Sequence, residues 1–84
     1  MISLVYIHCG LIQMIEKHIS QAKRQQRKGV YFERKKLFAL AISFYQIARN
    51  RWRQTPGSRE RVNWCNGRIS QCHAMMTVEC DDNE

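Results

Sequence analysis

The chain has 84 residues, 44% of them hydrophobic, with a formal net charge of +7, four cysteines and one proline. This length predicts a single domain, residues 1–84, with one small core and no room for separate cofactor and substrate domains. Four cysteines are too few for a disulfide scaffold, and the ordinary apolar content argues against extensive disorder.

The chain opens with an apolar run from Ile2 to Ile15. The run resembles the core of an export signal, but no positive charge precedes it, and cleavage after Ala22 would leave an odd number of cysteines. Its 14 residues are too few to cross a bilayer, which takes about 20. We therefore expect a cytoplasmic, reduced chain and disfavour a membrane as its partner.

Helix 1 is predicted from about residue 3 to residue 28. One side of it carries side chains that recur at steps of three and four: Val5, His8, Ile12, Ile15, Ile19 and Ala22. The opposite side carries Lys17, Arg24, Arg27 and Lys28. Gly29 suits the left-handed position that closes a helix. Because Ile2–Cys9 is rich in β-branched residues, an irregular or extended lead-in stays open there.

Helix 2 is predicted from about residue 31 to residue 54, where Thr55-Pro56-Gly57 ends it. A core face is expected from Leu37, Leu40, Ala41, Phe44, Ile47 and Ala48. A second apolar stripe, about 100° around the helix, consists of Phe38, Ile42, Tyr45 and Trp52. So wide an apolar arc indicates a helix between two others, or one that offers a stripe to a partner. It also leaves self-association into a homo-oligomer open.

Helix 3 is predicted from about residue 58 to residue 78, with Ser58 as its N-cap. Its apolar stripe consists of Val62, Cys65, Ile69, Cys72 and Met76. Asn66-Gly67 is also a hairpin signal, so a β-hairpin over residues 62–71 is the alternative. The acidic residues 79–84 are expected to form a disordered tail. The fold class predicted is therefore all-α, a small bundle of three helices.

Metal binding and catalysis find little support in the sequence. Cys65 and Cys72 are seven residues apart and lie on the apolar stripe, whereas paired zinc ligands usually stand two to four residues apart. They are better interpreted as core residues. The sequence contains no phosphate-binding glycine loop, nucleophile elbow or metalloprotease motif. We expect no metal, no cofactor and no enzymatic activity.

The basic residues give the strongest functional signal. All 14 lysines and arginines lie within residues 17–68, against the two acids Glu33 and Glu60, a formal charge of +12. Such a concentration predicts a polyanionic partner. The candidate binding residues mix cations with indole rings: Lys35, Arg49, Arg51, Trp52, Arg53, Arg59, Arg61, Trp64 and Arg68. Because guanidinium groups bind phosphates and tryptophan stacks on bases, the expected function is a non-catalytic module that binds nucleic acid.

One segment resembles a known DNA-binding element. Ser58–Arg68 combines serine, valine, tryptophan and Asn-Gly-Arg, as do the recognition helices of small Cro/repressor-type domains. The resemblance implies that Arg59, Arg61 and Asn63 face the major groove. It covers 11 residues, and valine and tryptophan stand two apart here, where the family usually has three.

The alternative function is that of a phage-type accessory protein that inhibits or redirects a host protein, such as a nucleic-acid-processing enzyme. Its partner would be an acidic protein surface. The second stripe of helix 2, Phe38, Ile42, Tyr45 and Trp52, would then be the anchor, rimmed by Lys35, Arg49 and Arg53. Exposure or burial of that stripe separates the two interpretations.

Overall fold

The computed structural model describes the backbone of residues 2–82 and the side chains of residue 10 and residues 12–78. Over the described backbone the chain forms three helices: α1 (Ile2–Arg34), α2 (Phe38–Arg53) and α3 (Arg59–Asp82). This part of the chain contains no strand. The predicted all-α bundle of three helices is confirmed. None of the described helices is both long and apolar enough to span a membrane.

Several predicted boundaries are wrong. The backbone is helical from Ile2 onward, so the extended lead-in is absent from residues 2–9. α3 passes through Asn66-Gly67 without interruption, which rules out the hairpin over residues 62–71. The same helix continues to Asp82, so the tail predicted from residue 79 is helical as far as residue 82. Residues 83 and 84 lie outside the described residues.

Gly29 lies inside α1 instead of closing it. The helix continues to Arg34, and the chain turns at Lys35–Leu37, where Lys36 has a φ of 63°. Gly29 is buried under the ring of Tyr45, and a Cβ atom there would lie 2.7 Å from ring carbons Cδ1 and Cε1. The glycine therefore serves close packing between α1 and α2, not backbone reversal.

Gly29→Ala is therefore expected to lower the free energy of unfolding by about 1–3 kcal/mol, even though alanine is the better helix former. The added methyl group must displace the Tyr45 ring, which is fully buried. Gly67→Ala is the matched control, because a Cβ at that α3 position meets nothing within 4 Å. This control should be neutral or stabilising by up to about 1 kcal/mol. Urea denaturation of both variants decides the matter, and equal stabilisation would contradict the packing role of Gly29.

α2 is the central helix of the bundle and packs against both α1 and α3, which contact each other much less. One core cluster joins Phe38, Ala41, Ile42, Tyr45, Ile69 and Cys72. The other joins Ala22, Ala48, Trp52 and Cys65. The start of α2 thus lies beside the later part of α3, and the end of α2 lies beside its beginning. The two helices form an antiparallel hairpin, unlike the steeply crossed pair of a helix-turn-helix.

The core of α2 differs from the predicted one in which large side chains it contains. Phe38, Ile42, Tyr45 and Trp52, expected as a partner anchor, are all buried. Within the predicted core face, Leu37, Leu40 and Ile47 are 44–49% exposed, while Ala41 and Ala48 are buried. The reason is that α1 and α3 both contact the side of α2 that carries the large rings. The interpretation of the aromatic stripe as a surface for another protein is therefore wrong.

The cysteine prediction is confirmed where the structure describes it. Cys65 and Cys72 are fully buried, each in one of the two core clusters. Burial raises the pKa of both thiols above the ordinary cysteine value. Both sulfur atoms therefore stay protonated at neutral pH and act as small apolar groups. The side chains of Cys9 and Cys80 lie outside the described residues.

Candidate nucleic-acid interface

The structure divides the nine candidate residues by exposure. Trp52 is 2% exposed, and its Nε1–H donates to Gln26 Oε1 at 3.2 Å. It is a core residue and cannot reach a partner, so its assignment to the binding site is wrong. The members with exposed side chains are Lys35, Arg53, Arg59, Arg61 and Trp64.

Three of the candidate arginines are half-buried in contacts between helices. Arg49 Nη1 donates to Asn66 Oδ1 at 3.2 Å, and its Nε is buried without a partner. Arg51 Nη1 lies 3.3 Å from Nδ1 of His18, which is itself half-buried. Arg68 forms a salt bridge with Glu33. Each of these arginines is already in contact with a residue of another helix, so it would have to give up that contact in order to bind a ligand.

Glu33 connects all three helices. From α1 it accepts a hydrogen bond from the Tyr45 hydroxyl of α2 at 2.8 Å and another from Arg68 Nε of α3 at 3.1 Å. Burial raises the pKa of Tyr45 to about 12, so its hydroxyl remains a donor at neutral pH. Among the described side chains the Glu33–Arg68 pair is the one salt bridge. The other described cations are therefore not paired with carboxylates.

The exposed candidates do not form one face. Lys35 lies in the turn between α1 and α2, where its Nζ is 5.6 Å from the ring centroid of Tyr31. Arg53 and Arg59 flank the turn between α2 and α3 at the other end of α2. The 16 residues of α2 separate these ends by about 24 Å. Only Arg61 and Trp64 line the same pocket.

A continuous basic surface lies instead on α1. Six exposed cations, here called the basic ridge, share its solvent side: Lys17, Lys23, Arg24, Arg27, Lys28 and Arg34. By helical spacing they fall within about 140° of the circumference and extend over about 26 Å. The buried residues Ala22 and Gly29 lie on the other side. Helical spacing alone places Lys17, Arg24, Arg27 and Lys28 on one side of the helix, but no tryptophan lies near them in the sequence, so the mixture of arginine and tryptophan does not point to them.

Beside the ridge, a groove separates α1 from α3. Its α1 wall consists of Gln26, Val30, Glu33 and Arg34, its α3 wall of Glu60, Arg61, Trp64 and Arg68, and its floor of Tyr45. Two adjoining pockets of about 370 and 250 Å³ meet at Trp64. A third, on the ridge side, shares Gln26, Val30 and Arg34 with them and adds Arg27 and Tyr31. The groove and the ridge therefore form one connected surface.

Aromatic packing fixes the geometry inside the groove. Trp64 is 42% exposed and packs edge-to-face on buried Tyr45, with ring centroids 5.7 Å apart and an interplanar angle of 79°. Arg61 lies with its guanidinium carbon 4.5 Å from the centroid of Trp52. Such cation–π contact positions the arginine while its side chain stays exposed. The groove thus holds an oriented indole and an oriented guanidinium as near neighbours.

Comparison with known proteins gives no information about the function of this chain. No protein-family model matches the sequence, and neither the curated proteins nor the solved structures give a significant match. The fold and the surface define a small basic three-helix domain. Among the described side chains, no cluster of three or more His, Cys, Asp or Glu residues is placed to hold a metal ion.

Proposed function

We propose that this chain is a small, non-catalytic, cytoplasmic module that binds nucleic acid through the basic ridge and the groove. The observation that carries the proposal is the ridge itself: six exposed cations on one side of α1, and a single salt bridge among all described side chains. Because these cations lack carboxylate partners, their positive charge is not neutralised by neighbouring side chains and attracts an external anion.

The release of counterions favours binding of nucleic acid to the ridge. A nucleic acid holds a condensed layer of cations, and each phosphate that a lysine or arginine neutralises releases part of that layer. Ridge residues such as Arg24 and Arg27 are exposed and form no salt bridge with the described side chains, so binding costs them mainly side-chain freedom. A half-buried arginine such as Arg49 would also have to leave Asn66. The ridge is therefore the less costly phosphate-binding surface.

The non-catalytic part of the proposal is supported by the state of the potential nucleophiles. Cys65 and Cys72 are fully buried, and their raised pKa keeps them protonated. The Tyr45 hydroxyl is buried and engaged with Glu33. None of these three groups is accessible and activated in the way that covalent catalysis requires.

The alternative, an accessory protein that inhibits or redirects a host protein, draws on the same cations. Its expected apolar anchor is buried in the core, as Tyr45 and Trp52 illustrate, so only the basic component supports it. A pull-down with and without nuclease separates the two functions. Loss of all partners after digestion favours nucleic acid, whereas a stoichiometric acidic protein that survives digestion favours the alternative.

Salt dependence tests the proposal directly. If about six cations neutralise phosphates, log K against log salt concentration should have a slope of about −5 for duplex DNA and about −4 for a single strand. Fluorescence anisotropy with labelled oligonucleotides between about 50 and 200 mM salt covers the useful range. The proposal fails if binding is undetectable at the lowest salt or if the slope is close to zero.

A further inference from the structure

Resting on the proposed function, we infer that the groove around Trp64 receives an unpaired base, which makes the module selective for single-stranded nucleic acid. The ridge contacts the phosphates of any strand, whereas the groove distinguishes one class of substrate. DNA and RNA share the chemistry that this site recognises, namely a planar base beside a phosphate.

Trp64 is an exposed indole that belongs to neither of the two core clusters. Trp64 is 42% exposed, in contrast to Trp52 at 2%. Its contact with buried Tyr45 holds the ring in one orientation, so little conformational freedom remains to be lost on binding. Stacking of a base on an aromatic ring is a favourable and sequence-tolerant contact. Trp64 therefore provides a preorganised platform for a base.

Polar groups surround the indole ring of Trp64. Arg61, held over Trp52, lines the same pocket as Trp64 and the carboxylate of Glu60, and Arg34 stands on the opposite wall of the adjoining pocket, next to the salt bridge of Glu33 with Arg68. Gln26 uses its Oε1 for Trp52 Nε1, which leaves its amide N–H groups for another acceptor. A nucleotide in the groove would place its base on the indole and its phosphate near a guanidinium.

The bases of a duplex are not free to stack on Trp64. In a duplex both faces of each base are covered by its stacked neighbours, so an indole can stack only after a base is taken out of the helix. That step costs a few kcal/mol, and an unpaired strand avoids it. Trp64 forms part of the α3 wall of the groove and lines both pockets, where a separate base can enter. A duplex would bind the ridge and forgo the groove.

The experiment compares three variants with the wild-type chain. Trp64→Leu keeps an apolar cover over Tyr45 but removes the aromatic face, and Trp64→Phe retains such a face. Ile47→Ala is the control, because Ile47 is similarly exposed, at 44%, and does not line the groove. The probes are homopyrimidine strands of about 15 nucleotides, one of DNA and one of RNA, and a hairpin duplex of similar length.

Wild type should bind at least one of the two single strands about tenfold more tightly than the duplex. Trp64→Leu should lose about tenfold in affinity for that strand, with duplex affinity and salt slope unchanged. Trp64→Phe should retain most of the affinity, and Ile47→Ala should behave as wild type. The arm that binds more tightly, DNA or RNA, shows which type of strand the groove prefers.

Tryptophan fluorescence gives an independent readout. The single strand should quench the emission of the wild type, because one of its two tryptophans is exposed. In Trp64→Phe, where only buried Trp52 remains, the strand should leave the emission unchanged. Urea denaturation of each variant establishes that the compared proteins are folded.

The outcomes separate this inference from the proposed function. Equal affinity for single strands and duplex, together with an unchanged Trp64→Leu variant, overturns the groove inference. Salt-dependent binding would then persist, and the proposed function would stand on the ridge alone. Absence of binding to every probe at about 50 mM salt overturns both.

Discussion

Replacing Trp52 with alanine is expected to lower the free energy of unfolding by about 3–5 kcal/mol. Trp52 is among the largest fully buried side chains and packs with Ala22, Ala48 and Cys65 from all three helices. Its loss leaves a cavity where three helices meet. It also removes the donor to Gln26. A domain of this length has a total stability of about 4–13 kcal/mol, so a large fraction of the variant could be unfolded at room temperature.

The control for this variant is the other tryptophan. Trp64→Ala removes the same side chain from a position that is 42% exposed, so by buried area its cost should be about 60% of that at Trp52, and less where no closed cavity is left behind. Trp52→Phe, which preserves a ring in the core, should fall between the two. The midpoint of urea denaturation ranks the variants, and the slope m shows whether the two-state treatment holds. Equal losses at both tryptophans would contradict the described packing.

The residue types along the chain were enough to predict three helices, but not which side of α2 faces inward. Its apolar arc spans two stripes, so helical periodicity leaves the orientation undecided. The aromatic stripe packs inward because α1 and α3 both contact that side, with Tyr45 touching Gly29 of α1 and Trp64 of α3. A decision of this kind depends on contacts between helices that are far apart in sequence.

Gly29 shows the same limit for a single residue. Near a helix end, a glycine is typical of the left-handed closing position, and the sequence around Gly29 suited that interpretation. Its actual role depends on a ring that lies 16 positions later in the chain, at Tyr45. The local pattern therefore predicted a chain reversal, although the helix continues to Arg34.

For the candidate site, the concentration of positive charge was enough to predict a polyanionic partner. The exposure of the side chains in the structure then changed which residues are assigned to the site. Nothing in the sequence shows that Arg51 meets His18 or that Arg68 meets Glu33, because these pairs are 33 and 35 residues apart. The basic side of α1 was visible from spacing alone, because α1 is one uninterrupted helix. Local periodicity thus placed Lys17, Arg24, Arg27 and Lys28 on one side of helix 1 without assigning them to a binding site, whereas the groove could be found only from the tertiary structure.

Neutralising three ridge residues at once, in the variant Lys17→Gln, Arg24→Gln and Arg27→Gln, is expected to weaken single-strand binding about 100-fold at roughly 0.1 M salt. Each lost phosphate contact should make the salt slope less steep by about 0.7, so three contacts change it by about 2. The three side chains are exposed and form no salt bridge with the described side chains. Glutamine is also a good helix former, so stability should be nearly unchanged. Anisotropy across a salt series, with urea denaturation alongside, measures both effects.

The matched control carries the same change of charge outside the ridge and the groove, in the variant Lys36→Gln, Arg53→Gln and Arg59→Gln. These side chains are also exposed, and by helical spacing Arg59 lies about 140° around α3 from Trp64. If binding depended on net charge alone, both variants would lose affinity equally, because each lowers the formal charge by the same amount. A ridge that contacts phosphates directly makes the first variant much weaker and leaves the salt slope of the second near the wild-type value. An identical slope change in both variants would show that the cations act through their summed field, without a defined binding surface on α1.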